Sequence, residues 1–131
     1  MAEHPHIALV RKGYDAFSRG DMETLAGIMA ADCTHHVPGN HMMSGDYKGR
    51  DSVLEYYGNL ARETGGTMRV ELTNVMVDGR GHAVAMHRFT ADRKGEHLDA
   101  MGCIVFRIVG DKATDLDECV EDLNEADRFW S

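Results

Sequence analysis

His87, Glu118 and His35 are the three titratable side chains of this 131-residue chain whose neighbours aim them inward. Each lies in a segment where apolar and polar residues alternate, so a period of two decides its face. Positions 85, 87, 89 and 91 are Ala, His, Phe and Ala, whereas 88, 90 and 92 are Arg, Thr and Asp. The odd set is the more apolar, and His87 goes with it. Leu116, Glu118 and Val120 alternate with Asp115, Asp117, Cys119 and Glu121, so Glu118 also faces inward. His35 and His36 point to opposite faces, and His35 holds the inward register. A His and a Glu lining one apolar cavity can form a hydrogen-bonded pair. Desolvation and pairing would then place a proton-transfer group near neutral pH, with His87 the first candidate. The competing readings are structural: a pocket-wall role for either His, and for Glu118 a salt bridge to Arg88 or Arg107.

The elements that must position these groups can be read from periodicity. Ile7, Val10, Tyr14 and Phe17 recur at helical spacing and predict a helix over residues 5–19, closed by Gly20. Asp21 can cap a second helix over 21–30, with Met22, Leu25 and Ile28 or Met29 inward. Residues 33–37 form a short strand, and the glycine-rich stretch 38–49 reads as loop. Asp51 is the expected cap of a helix over 51–64, where Val53, Tyr57 and Leu60 share a face. Four strands come next: 68–77 with an irregularity near Asn74, 82–92, 97–109, and 112 to about 122. Residues 124–131 form a helical turn that docks Phe129 and Trp130. The result is a single α+β domain over residues 1–131, with three N-terminal helices packed on a mostly antiparallel sheet. Tyr14, Phe17, Tyr57 and Phe89 are its expected substrate-binding walls.

Composition narrows the partners. With 14 basic and 22 acidic residues the formal net charge is -8, which argues against a nucleic-acid or anionic-membrane surface. No apolar run reaches the roughly 20 residues that span a bilayer, and the N-terminus lacks the pattern of a signal peptide. Cys33, Cys103 and Cys119 are odd in number and widely spaced, as expected of reduced thiols in a cytoplasmic protein. The eight histidines show no metal-ligand spacing, and neither metal nor cofactor is expected. Met101, Cys103 and Val105 leave apolar positions on the outer face of the third meander strand, which predicts sheet-to-sheet homodimerisation.

The segments 14-YDAFSRGDMETLAGIMAADCT-34, 44-SGDYKGRDSVLEYYGNL-60, 101-MGCIVFRIVGDK-112 and 127-DRFW-130, in that order, resemble the SnoaL-like branch of the NTF2-like superfamily. Relatives include ketosteroid isomerases, polyketide cyclases and limonene epoxide hydrolases. The resemblance implies a cone, in which a strongly curved sheet wraps around helices to enclose a small-molecule pocket. It also supplies positions to test. The isomerase tyrosine, base and protonated aspartic acid fall on Gly13, Val37 and Ile104, none of which carries the needed group, so that mechanism is disfavoured. The epoxide hydrolase aspartates fall on His87 and near Glu118, its arginine on Ala85, and its tyrosine and asparagine on His35 and Val37. The cyclase acid falls on Glu118 or Glu121. The resemblance and the inward acid/base groups together imply an isomerase, cyclase or hydrolase for a small apolar or polyketide-like molecule. The alternative is a non-catalytic ligand-binding or dimerisation module.

Overall fold

The computed structural model describes residues 3–131. Helix α1 covers Pro5–Arg19, with Pro5 in its first turn, where a missing N–H costs nothing. Gly20 ends it at φ 68°, a left-handed conformation that glycine adopts freely, and its N–H bonds the Ala16 and Phe17 carbonyls. The Asp21 carboxylate then caps α2, Met22–Ile28, by accepting from Thr24 N.

Here the structure departs from the periodicity. Helix α2 stops two residues short of position 30, and β1 covers Met29–Val37, nine residues rather than five. Its register slips between Met29 and Thr34. Buried Met29 and Cys33 are four apart, a spacing that shares one face in a strand as well as in a helix and so reads as helical in sequence. The expected loop over 38–49 contains strand β2, Gly45–Lys48. It is a short edge strand of Asp, Tyr and Lys between glycines, with no apolar alternation to reveal it. Helix α3 covers Arg50–Glu63, and its cap is Gly49 with no side-chain bond. Asp51 sits in the first turn instead, where its charge faces the positive end of the helix dipole.

The meander comes next as β3 (Arg69–Val77), β4 (His82–Arg93), β5 (Glu96–Val109) and β6 (Lys112–Val120), then α4 (Leu123–Phe129). The six strands lie in the order β2-β1-β6-β5-β4-β3. Every neighbouring pair is antiparallel except β1 with β6, which is parallel. Register shifts between Leu72 and Asn74, and between Arg107 and Ile108, add to the one in β1. Such bulges bend and twist the strands that carry them, so the sheet curls. Helix α1 lies across β3 and β4, and α3 lies on β1 and β2. Phe129 and Trp130 are buried. Arg93 holds them there: its guanidinium, 6% exposed, donates to the Phe129 and Ser131 carbonyls at 3.1 and 2.7 Å and pairs with Glu63 at 3.2 Å. Among the described residues no helix is long and apolar enough to cross a membrane.

Candidate functional site

Between the concave sheet and the helices lies a cavity of about 130 Å³. The strand alternation that buries His87 on β4 and Leu116 on β6 turns both toward it. Phe17, Met68, Val70, Phe89, Ile104, Leu116 and Trp130 give it mostly apolar walls. Tyr14, His35, Tyr57, His87 and Glu118 are among the polar groups that share it.

These polar groups form two separate sets. In the first, Tyr14 Oη and His87 Nδ1 are 2.7 Å apart. Burial, and then the negative charge of Glu118, pushes the Tyr14 hydroxyl well above its ordinary range, so it stays protonated. Burial also lowers His87, against a smaller opposing pull from Glu118, which favours the neutral ring. Tyr14 O–H as donor to Nδ1 then assigns the ring proton to Nε2. That nitrogen has no hydrogen-bond partner among the described residues. It lies over Gly102, the residue directly opposite His87 on β5.

In the second set, His35 is 1% exposed and bonded on both nitrogens. Nδ1 is 3.1 Å from Tyr57 Oη, and Nε2 is 3.0 Å from Glu118 Oε1. Tyr57 is held far above its ordinary pKa by burial, so its O–H donates to Nδ1 and His35 Nε2–H donates to the carboxylate. One Glu118 oxygen is thereby fixed. The other has no hydrogen-bond partner among the described residues. Burial is the main cause of the raised Tyr14, Tyr47, Tyr56, Tyr57 and Cys103; the Glu118 charge adds to each and opposes the lowering of His41 and His87. It is the electrostatic centre of the cavity.

The direct His87–Glu118 pair expected from alternation is not formed. Strand β5 stands between β4 and β6, so two inter-strand spacings, about 9.6 Å, separate the backbones that carry the two residues. Each side chain finds a nearer partner: His87 on α1, Glu118 on the neighbouring β1. Arg88 pairs with Asp99 rather than with Glu118. Glu121 is exposed beyond β6 and accepts from Met101 N at 3.0 Å, so of the two glutamates Glu118 is the one that lines the cavity. Gly13, Val37 and Ile104 do line it. Those positions face inward without acidic or phenolic groups. Tyr14 follows Gly13 in the chain, and Glu118 stands directly across from Ile104.

Sequence reasoning missed several wall residues. Tyr56 stacks on Tyr47 with centroids 4.4 Å apart and meets His35 edge-on at 5.2 Å. His41 stacks on Trp130 at 6.3 Å, accepts from Met43 N, and is lowered by burial. His41 comes from an aperiodic loop, which no pattern would have flagged. Gly102 did carry a signal: a glycine inside an apolar strand marks a close approach. Among the described residues no three His, Cys, Asp or Glu side chains converge in a way that could hold a metal ion.

A SnoaL-like domain is matched over residues 10–116. An uncharacterised protein of Mycobacterium tuberculosis is 34% identical over 131 residues, the whole of both chains. Among solved structures, Bal32a from a soil-derived mobile gene cassette superposes with a TM-score of 0.95 at 37% identity, covering 97% of each chain. An NTF2-like protein of Burkholderia pseudomallei gives 0.87 at 19% identity, covering 98% of this chain and 99% of its own, and bears on the fold alone. The chain belongs to the SnoaL-like family, and its fold is the NTF2-like cone.

Proposed function

We propose that this protein is a cofactor-independent acid/base enzyme that relocates a proton on a small, neutral, apolar molecule bearing an oxygen function. The reaction class is isomerisation, cyclisation or hydrolysis of a polyketide-like compound. One observation carries this reading: two hydrogen-bonded sets, Tyr14–His87 and Tyr57–His35–Glu118, share a mostly apolar cavity. Glu118, oriented by His35, accepts the proton through its free oxygen. His87, oriented by Tyr14, offers Nε2–H to the substrate oxygen as charge develops there. Both are held by partners that are not consumed, which is how acid and base are kept in opposite protonation states. The lining holds Glu118 and Asp122 but no Lys or Arg. An anionic ligand would meet uncompensated negative charge, so a neutral substrate fits.

The homodimer belongs to the same proposal. Met76 and Met101 are 52% and 37% exposed on the convex face, and a second copy of that face would cover them.

The test uses neutral hydroxylated aromatic and polyketide-like compounds against wild type, His87→Ala and Glu118→Gln. Calorimetry follows binding, and turnover is followed from pH 4 to 10. With neutral His87 as donor, the rate falls on the acid side as His87 takes up a proton and stays level on the alkaline side, and each substitution lowers turnover by about 10²- to 10⁴-fold while binding persists. A compound that binds at wild-type affinity in both variants and is never converted would leave a binding module in place of an enzyme.

A further inference from the structure

Cys103 on β5 and Cys119 on β6 are directly opposite one another. Both face the convex side, because their neighbours Gly102, Ile104, Glu118 and Val120 line the cavity behind them. Glu121 N donates to Met101 O at 3.0 Å, which makes 101 and 121 a hydrogen-bonded pair. Two residues further along the same ladder, 103 and 119 are also such a pair, with Cα atoms about 5.5 Å apart. That separation lies within the range of about 4.4–6.8 Å that a disulfide spans. Cys119 is exposed and Cys103 half-buried. Burial, and then the neighbouring Cys119, raise the Cys103 thiol. Cys33, by contrast, is buried on β1 with its thiol pushed up to about 12.

We propose that, in a chain whose convex face is not covered by a second copy, Cys103 and Cys119 close into a reversible cross-strand disulfide, an oxidation site that adjusts the cavity wall behind it. The oxidant is a small disulfide such as oxidised glutathione. The Cys119 thiolate attacks one glutathione sulfur, forming a mixed disulfide and releasing one glutathione thiol. Cys103 then attacks Cys119 sulfur, and the second glutathione thiol leaves. Two protein thiols lose two electrons and two protons, and one glutathione disulfide is reduced to two thiols.

The coupling to the cavity comes from the ladder. Directly opposed Cβ atoms in a sheet stand about 4.5–5.5 Å apart, whereas bridged cysteines need about 3.8 Å. Closure therefore draws β5 and β6 together by roughly 1 Å. Glu118 and Gly102 are two of the four cavity residues next in sequence to the bridged pair. Gly102 bears on His87 Nε2, and Glu118 bears on His35. The site stands whether or not the cavity is catalytic.

The experiment incubates the full chain with oxidised glutathione and then with dithiothreitol. Intact mass should fall by two hydrogens, and proteolysis should yield a peptide joining Cys103 to Cys119 while Cys33 stays alkylatable once the chain is denatured. NMR signals of the His35 and His87 rings should shift on oxidation and return on reduction. In Cys119→Ser the shift is lost. This position is exposed, so that variant keeps the test open even where Cys103→Ser fails to fold. Both thiols remaining alkylatable, a stable glutathione adduct that never closes, or a covalent dimer on a non-reducing gel would each overturn the assignment. A closed disulfide that leaves both histidine signals unmoved would overturn the coupling.

Discussion

Replacing Gly102 by alanine should dislodge His87 from the place where its free nitrogen can act. A Cβ at position 102 would stand 2.9 Å from His87 Nε2 and 2.9 Å from Cys119 O. Non-bonded heavy atoms sit best at about 3.5–4.0 Å, so each contact is too close by roughly 0.6 Å or more. The Cys119 carbonyl is part of the β5–β6 ladder and cannot retreat without opening it. The imidazole can turn, at the expense of its 2.7 Å bond to Tyr14. Overpacking of this kind costs about 1–3 kcal/mol, and the lost hydrogen bond adds about 1 kcal/mol. For a domain of this length, Tm should then fall by roughly 6–16 °C. Circular dichroism gives the melting curve, and the His87 ring signals report the displacement. Gly27→Ala is the control: nothing lies within 4 Å of its added methyl in helix α2, so it should gain about 0.5–1 kcal/mol. If Gly102→Ala melts with wild type and leaves the His87 signals in place, Gly102 has no positioning role.

Arg93→Met keeps the aliphatic stem but strips the donors from the Phe129 and Ser131 carbonyls. Charged hydrogen bonds contribute about 1.5–3 kcal/mol each, so stability should drop by about 3 kcal/mol. Emission of Trp130, the single tryptophan, should shift to the red; an unshifted spectrum would mean that α4 docks without the clamp. His87 and His41 are both lowered in the folded state, chiefly by burial. The unfolded chain then binds more protons below the ordinary histidine value of about 6.5. Stability should therefore be full above that pH and decline as pH falls beneath it. Urea midpoints at pH 7.5 and 5.5 read this, and His87→Gln should lessen the difference; an equal difference in the variant removes His87 as a cause. Light scattering at micromolar concentration should give twice the 14.5 kDa of one chain, and a monomer mass would refute the homodimer.

The meander was legible because its strands obey period two and its turns carry Asp-Gly, Lys-Gly and Gly-Asp. Position 74 even announced its bulge, which falls between Leu72 and Asn74. What escaped was wherever the period was ambiguous or absent. The four-residue spacing of Met29 and Cys33 disguised Met29 as helical, and β2 hid among glycines because its register is set by pairing with His36 and His35 rather than by its own apolar residues. The cavity residues could be read from alternation, which fixes a face but not a partner. Which group a side chain touches depends on strand order, and strand order is not written in any one segment. Strand β5 separates His87 from Glu118, and the parallel seam of β1 with β6 brings His35 to Glu118 instead.

That parallel seam also has a kinetic consequence. His35 and Glu118 are 83 residues apart in the chain, and Tyr14 and His87 are 73 apart. Neither set can assemble within one hairpin or one helix–strand unit. Closing such long loops is entropically unfavourable until the contacts that reward it exist, so distant pairings form late and together. A nascent or partly opened chain thus holds a carboxylate, phenols and imidazoles as ordinary solvated groups. The His35–Glu118 bond comes into being only when the seam shuts, and the Tyr14–His87 bond only when α1 docks on β4.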